Sequence, residues 1–258
     1  PLTDDADTIA ALLPSLTTDI MPVQGSRTDL ALQQAAELLN NAGITRGDVL
    51  LITDAIDKQH LSAIDDLVAA GADNVMALRG DPPKGERYFK PAPDGFKYAA
   101  ELVAALRQRQ PKLCIGVAGY PEKHMEAPSL DKDICRLKEK IEAGAEYVVT
   151  QMFFDNSKYF EFVDKCRESG ISVPIIPGLK PLATKRQLSI IPHRFHVDMP
   201  EDLISEVEKC KDNKEVRQVG IEWGIQQSKE LVKAGVPVLH YYSMGKSTNI
   251  QKIAKAVF

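Results

Sequence analysis

Along much of the chain a helical run of apolar positions ends in Gly, and a short apolar strand follows within a few residues. AAELLNNAG (35–43) leads to DVLLITD (48–54), and IDDLVAAG (64–71) leads to NVMALRGD (74–81). LKEKIEAG (137–144) leads to YVVTQMFFD (147–155), KCRESG (165–170) to VPIIPG (173–178), and SKELVKAG (228–235) to VPVLHYY (236–242). Between these, FKYAAELVAALRQ (96–108) precedes KLCIGVAGY (112–120). Gly ends a helix cheaply because it accepts the left-handed conformation there. The strands are β-branched and apolar without clean alternation, the pattern of strands covered on both faces. Repeated αβ units with short loops predict a parallel α/β fold.

Six strands follow from this pattern, and a (βα)8 TIM barrel needs eight. Short stretches at Asp19–Val23 and His193–Val197 are candidates for the remainder. The rival architecture is an open, doubly wound sheet. In either case a ligand sits at the C-terminal ends of the strands. No stretch has linker composition, so residues 1–258 read as a single α/β domain.

Composition narrows the classes. The 258 residues, 44% hydrophobic and 26% charged, suit a globular domain with a sizeable core. A net charge of −4 gives no electrostatic reason to expect nucleic acid. No apolar run approaches the ~18 residues of a membrane span. Cys114, Cys135, Cys166 and Cys210 form no Cys-x-x-Cys pair, so no metal or redox motif is indicated, and buried thiols in the cytoplasm are expected. The opening PLTDDADTIA lacks Met and the basic-then-apolar order of a signal peptide, which reads as a fragment or a processed chain.

Three strand ends carry candidate chemistry. ALRGDPP (77–83) sets Arg79 and Asp81 just past a strand. Arg79 can hold a carboxylate or phosphate and Asp81 can accept from a ring N–H; a local salt bridge is the alternative. GVAGYPEKHMEAPSLDKDICRLKEKI (116–141) offers Gly116 and Gly119 for close backbone approach, Tyr120 for stacking, and His124 in a loop. Asp133, Arg136 and Lys140 fall on the next helix, where Arg136 and Lys140 share a face; the alternative is a solvated helix face. VTQMFFD (149–155) places Gln151, a donor and acceptor together, in an apolar strand, either for a heterocycle edge or for backbone groups.

LRGDPP, YPEKHMEA, TQMFFD and PG-x-x-P, in this order, resemble the methylenetetrahydrofolate reductase family, as do VPIIPGLKPLATKRQL (173–188), Glu222 with Trp223, and LHYYSMGKSTNI (239–250). The resemblance runs from about Asn74 to Phe258. It implies a (βα)8 barrel binding FAD, with NAD(P)H as co-substrate and a folate as small-molecule substrate. It further implies Arg79, Gly80, Tyr120, His124, Asp133 and Lys140 at FAD, with Arg136 as a further flavin candidate. Asp81 would act catalytically beside flavin and folate. Gln151 would bind the pterin, and Gln187 and Lys246 would contact substrate. A homo-oligomer is in keeping with the family.

The family's opening strand, similar to FEFFPP and carrying its general-acid Glu, has no counterpart here. Instead GSRTDLALQQA (25–35) and VLLITDAID (49–57) resemble part of a von Willebrand factor type A domain, with Thr28 and Asp54 at its metal-site positions. That family's Asp-x-Ser-x-Ser motif is absent, so no metal site is expected. On this reading residues 1–65 are fused to a reductase-like segment, 66–258, as a composite barrel rebuilt with Rossmann-like elements at its N-terminus. Two functions follow: a flavoprotein reductase, or an engineered or recombinant chimeric α/β scaffold without catalysis. A metal-dependent binding module is the third class.

Overall fold

In a computed structural model, residue 37 and residues 47–49, 61–80, 89–91, 95–243 and 247–258 are described. Six strands are hydrogen-bonded in the order in which they occur in the chain: β1 (Gly47–Val49), β2 (Ala72–Ala77), β3 (Cys114–Gly119), β4 (Tyr147–Met152), β5 (Ile175–Leu179) and β6 (His240–Tyr241). Pairing is parallel from β1 to β2, from β2 to β3, and from β5 to β6. A doubly wound sheet reverses its strand order at a switch point. Sequential order is that of a barrel wall, so the described strands set the doubly wound alternative aside. β1 and β6 stand at opposite ends of the order, and closure is not seen among the described strands.

All six expected strands occur, with shifted ends. The strand expected at 236–242 shrinks to two residues. Pro237 lacks a ladder donor, and Val238 is half exposed. The strand candidate at His193–Val197 is corrected, because His193 to Phe195 are helical and His196 ends that helix in the left-handed region at φ 54°. The candidate at Asp19–Val23 lies outside the described residues. So do Thr28, Asp54, Asp81 and Lys246. The expected coverage of both strand faces holds only in part. In β4, Val148, Thr150 and Met152 are buried, while Tyr147, Val149 and Gln151 are half-buried.

The chain divides into two compact units. The first comprises residues 1–118 and 139–148, the second residues 119–138 and 149–258. In the first, α1 (Ala63–Ala69) and α2 (Ala99–Arg109) bury Ile64, Leu67, Leu102, Val103 and Leu106. Arg109 holds Asp65 through a two-pronged ion pair that keeps its carboxyl below the usual range. Arg107 donates to the Gly144 carbonyl at 2.8 Å and pairs with Glu146. Helix α3 (Leu130–Glu142) starts in the second unit and ends in the first.

The second unit holds α4 (Asn156–Glu168), α5 (Gln187–Phe195), α6 (Glu201–Lys209), α7 (Asn213–Lys233) and α8 (Thr248–Val257). Its core gathers Met152, Phe154, Leu182, Ile191, Val197, Leu203, Val207 and Val216. Asp155 caps α4 by accepting from the Ser157 amide, and Asp212 caps α7 by accepting from the Lys214 and Glu215 amides. The glycines read as helix stops, Gly71, Gly144, Gly170 and Gly235, all have positive φ between 85° and 118°.

Candidate functional site

In the first unit the register Ala77↔Val117 brings the C-terminal ends of β2 and β3 side by side. Arg79 and Gly80 lie just past β2, half-buried, and the Arg79 guanidinium stands 4.8 Å from the Phe89 ring centre. Lys140 donates from Nζ to the Ala118 carbonyl at 2.7 Å, which draws its ammonium to the end of β3. Two cations therefore serve adjacent strand ends. Gly116 does not leave room for a ligand: a Cβ there would meet the Tyr147 ring, with the hydroxyl oxygen at 2.6 Å. The expectation of close ligand approach at Gly116 is corrected to a packing role.

In the second unit the turn after β3 gathers three of the expected residues. The Tyr120 and His124 rings meet edge to face, with centroids 4.7 Å apart. The Asp133 carboxylate, in the first turn of α3, accepts from the His124 amide at 2.8 Å. His124 Nδ1 accepts from the Glu126 amide at 3.1 Å, which puts the proton of the neutral imidazole on Nε2. Lys123 occupies the left-handed region at φ 79°, held by its amide on the Tyr120 carbonyl and its Nζ on the Ala127 carbonyl. A side-chain-bearing residue adopts that conformation only where its surroundings over-determine it.

Glu122, in the same turn, was not singled out by the sequence. Its Oε2 accepts from the Asp198 amide at 2.6 Å, while Oε1 is buried without a hydrogen-bond partner. Burial pushes the carboxyl up to about 7. Arg136 is exposed on α3.

Further strand ends lie in the same unit. Gln151 sits on the half-buried face of β4 and accepts from its neighbour's amide, that of Met152, at 3.0 Å. Gln187 accepts from the Ala183 and Thr184 amides, shaping the loop after β5. A cleft there is lined by Phe154, Lys180, Pro181, Trp223, Gln227 and Tyr241. Burial lowers the Lys180 ammonium from its ordinary value. Trp223 donates to the Phe154 carbonyl at 3.0 Å, and Tyr242 donates to the Thr150 carbonyl at 2.8 Å. Lys180 and Tyr242 stand at strand ends where a ligand is expected, whereas Thr150 and Gln227 carry no spacing signal that marks them in advance.

A sequence profile of the methylenetetrahydrofolate reductase family matches residues 2–257. The chain belongs to this family. A 5,10-methylenetetrahydrofolate reductase of Pectobacterium carotovorum subsp. carotovorum is 30% identical over 93% of this chain and 79% of its own length. Methylenetetrahydrofolate reductase (NADH) 1 of Zea mays is 33% identical over 85% of this chain and 39% of its own. The chain thus spans about two fifths of the plant relatives it matches. A solved structure of an uncharacterised Clostridium thermocellum protein, titled as binding two copies of 5-methyl-5,6,7,8-tetrahydrofolic acid, aligns over 92% of this chain and 90% of that one, with a TM-score of 0.48 and 18% identity.

The family match begins at residue 2 and so takes in the segment read above as resembling a von Willebrand factor type A domain. The composite reading is corrected accordingly. Its physical source is plain: helix–Gly–strand units of different parallel folds share one pattern, and a Thr and an Asp within it are weak markers. Cys135 is exposed, against the expectation of buried thiols, whereas Cys166 is buried. Among the described residues no helix is long and apolar enough to cross a membrane, and no group of three metal-ligating side chains occurs.

Proposed function

We propose that the chain is a flavoprotein that reduces 5,10-methylenetetrahydrofolate to 5-methyltetrahydrofolate with NAD(P)H. The observation that carries this reading is the pinned turn holding Tyr120, His124 and Asp133 after β3. A dinucleotide such as FAD presents a diphosphate and flat rings. The first unit, taken by itself, offers cations at the ends of β2 and β3, and the second, by itself, an aromatic–imidazole pair in the turn, and each set suits one part of FAD.

Bound FAD supplies the hydride relay between nicotinamide and folate. Arg79 and Lys140 would hold its phosphates, with the Gly80 backbone close by. Tyr120 would lay a ring against the cofactor, and His124 would donate from Nε2. Asp133 would act by fixing the backbone of His124. Arg136, exposed, would serve the outer part of the cofactor. Gln151 would pair with the pterin edge through its amide, oriented from the half-buried face of β4. Asp81 would lie beside flavin and folate, and Gln187 and Lys246 would contact the substrate.

The test is direct. Purified protein should carry or take up FAD with a bound-flavin spectrum, and NADH or NADPH should bleach it without oxygen. Methylenetetrahydrofolate should then restore the oxidised spectrum. A colourless protein that takes up no added FAD overturns the reading.

A further inference from the structure

Glu122 reaches out of the turn to a distant stretch of chain. Its Oε2 accepts from the amide of Asp198, 76 residues away, between α5 and α6. On the other side, Asp133 holds the amide of His124. The turn is thus tied at both ends, with the strained Lys123 between. Only one of the two ties is incomplete: Glu122 Oε1 is buried and makes no hydrogen bond.

The charges facing Glu122 come from two other elements. Asp198 follows α5. Asp155 and Lys158 belong to the N-terminal end of α4. Burial is the largest effect on Glu122 and disfavours its charge; the Asp198 amide opposes this by favouring the carboxylate, and two carboxylates against one ammonium add no net support for a third negative charge. A buried carboxylate oxygen with no donor is costly, whereas a protonated carboxyl leaves no charge there.

We propose that Glu122 is a positioning residue whose protonated carboxyl latches the Tyr120–His124 turn to Asp198, and whose ionisation loosens that turn. Its value in the turn is raised to about 7, whereas in an opened, solvated turn it returns to the ordinary range near 4.5. The sign follows by linkage. A carboxyl with a raised value stabilises the closed turn fully below about 4.5, and that stabilisation is lost as pH rises through about 7. Between pH 6 and pH 8.5 the closed-to-open ratio should fall by about tenfold.

For function, the proposal rests on the flavin reading, because the latched turn is the one that would face the cofactor. Its test does not need the flavin. Amide hydrogen exchange is measured on the full chain without FAD at pH 6 and pH 8.5, corrected for intrinsic rates. Protection at residues 123–127 and 198 should fall about tenfold, while the interior of α4 near Phe162 changes little. In Glu122→Gln, neutral at both pH values, protection should stay level. A carboxyl-carbon titration of Glu122 in the unaltered protein should have its midpoint near 7, a readout that survives a variant that folds poorly. Equal protection at both pH values, a Gln variant that loses protection like the parent, or a midpoint near 4.5 overturns the proposal. FAD uptake is recorded alongside. No uptake with pH-dependent opening removes the flavin reading and leaves the latch; uptake without pH-dependent opening does the reverse.

Discussion

Gly220→Ala should destabilise the second unit, although alanine is the better helix former. Gly220 is buried on α7, where the helix backbone lies directly on Leu182. A Cβ at Gly220 would run into the Leu182 carbonyl oxygen, with the carbonyl carbon and amide nitrogen both at 2.8 Å. These are backbone atoms of the segment that follows β5, and they cannot swing aside as a side-chain tip can. In an exposed helix interior the exchange would contribute about 1 kcal/mol of stability through helix propensity. Overpacking of this kind costs about 1–3 kcal/mol or more. With backbone as the obstacle the larger end applies, so the net loss should be about 1–2 kcal/mol. Gly224, one turn later, is the internal control. A Cβ there meets the Cδ1 of Ile253 at 2.7 Å, the flexible end of a side chain, and Gly224→Ala should cost less. Trp223 is the chain's single tryptophan and stands between the two sites, donating to the Phe154 carbonyl. Urea unfolding followed by its fluorescence therefore reports on this helix. The midpoint of Gly220→Ala should fall by roughly 0.5–1 M. A Gly220→Ala midpoint equal to or above the parent's, or a Gly224→Ala loss exceeding it, would refute the close-approach reasoning.

Three further outcomes are expected. Asp133→Ala removes the acceptor for the His124 amide, and FAD retention, measured by equilibrium dialysis, should weaken by about tenfold, as loss of a charge-assisted hydrogen bond implies; unchanged retention would separate the turn from the cofactor. Asp212→Ala deletes the cap that accepts from two amides of α7 and should lower the urea midpoint, whereas Asp212→Asn should recover most of the loss; an unchanged midpoint in Asp212→Ala would contradict the cap. Thiol titration at pH 8 should modify exposed Cys135 readily and spare Cys166, which is buried and whose thiol burial pushes up to about 12; equal reaction rates in the native protein would contradict that burial.

The fold was legible where one residue type answers one geometric need. A helix that must turn back into a parallel strand needs a left-handed residue, and Gly71, Gly144, Gly170 and Gly235 all adopt that conformation. Strand positions were legible for the same reason, since apolar β-branched runs have few other uses. The end of the last strand was not, because VPVLHYY reads as apolar throughout while Pro237 withholds a donor. The origin of the first 65 residues was misread because an αβ unit is common property of many parallel folds. Gly116 was misread because one glycine pattern serves both ligand approach and close packing, and the choice depends on Tyr147, 31 residues away.

The site divides along the same line. Tyr120, His124 and Asp133 were legible as a group because motif spacing places them in one turn and the helix after it. Glu122 sits among them, yet its character comes from Asp198, Asp155 and Lys158, which are 76, 33 and 36 residues away. A glutamate in a loop is ordinarily solvated and ionised, so nothing in YPEKHMEA distinguishes it. Burial against another segment makes it distinct, and burial is a property of the packed chain. Lys180 is the parallel case: its place at a strand end is legible, but the burial that lowers its ammonium is not, since the cleft it lines is shared with Phe154, Trp223 and Gln227 from other segments. Local geometry is therefore readable from local sequence here, whereas the electrostatics that tune the site are set by contacts between distant segments.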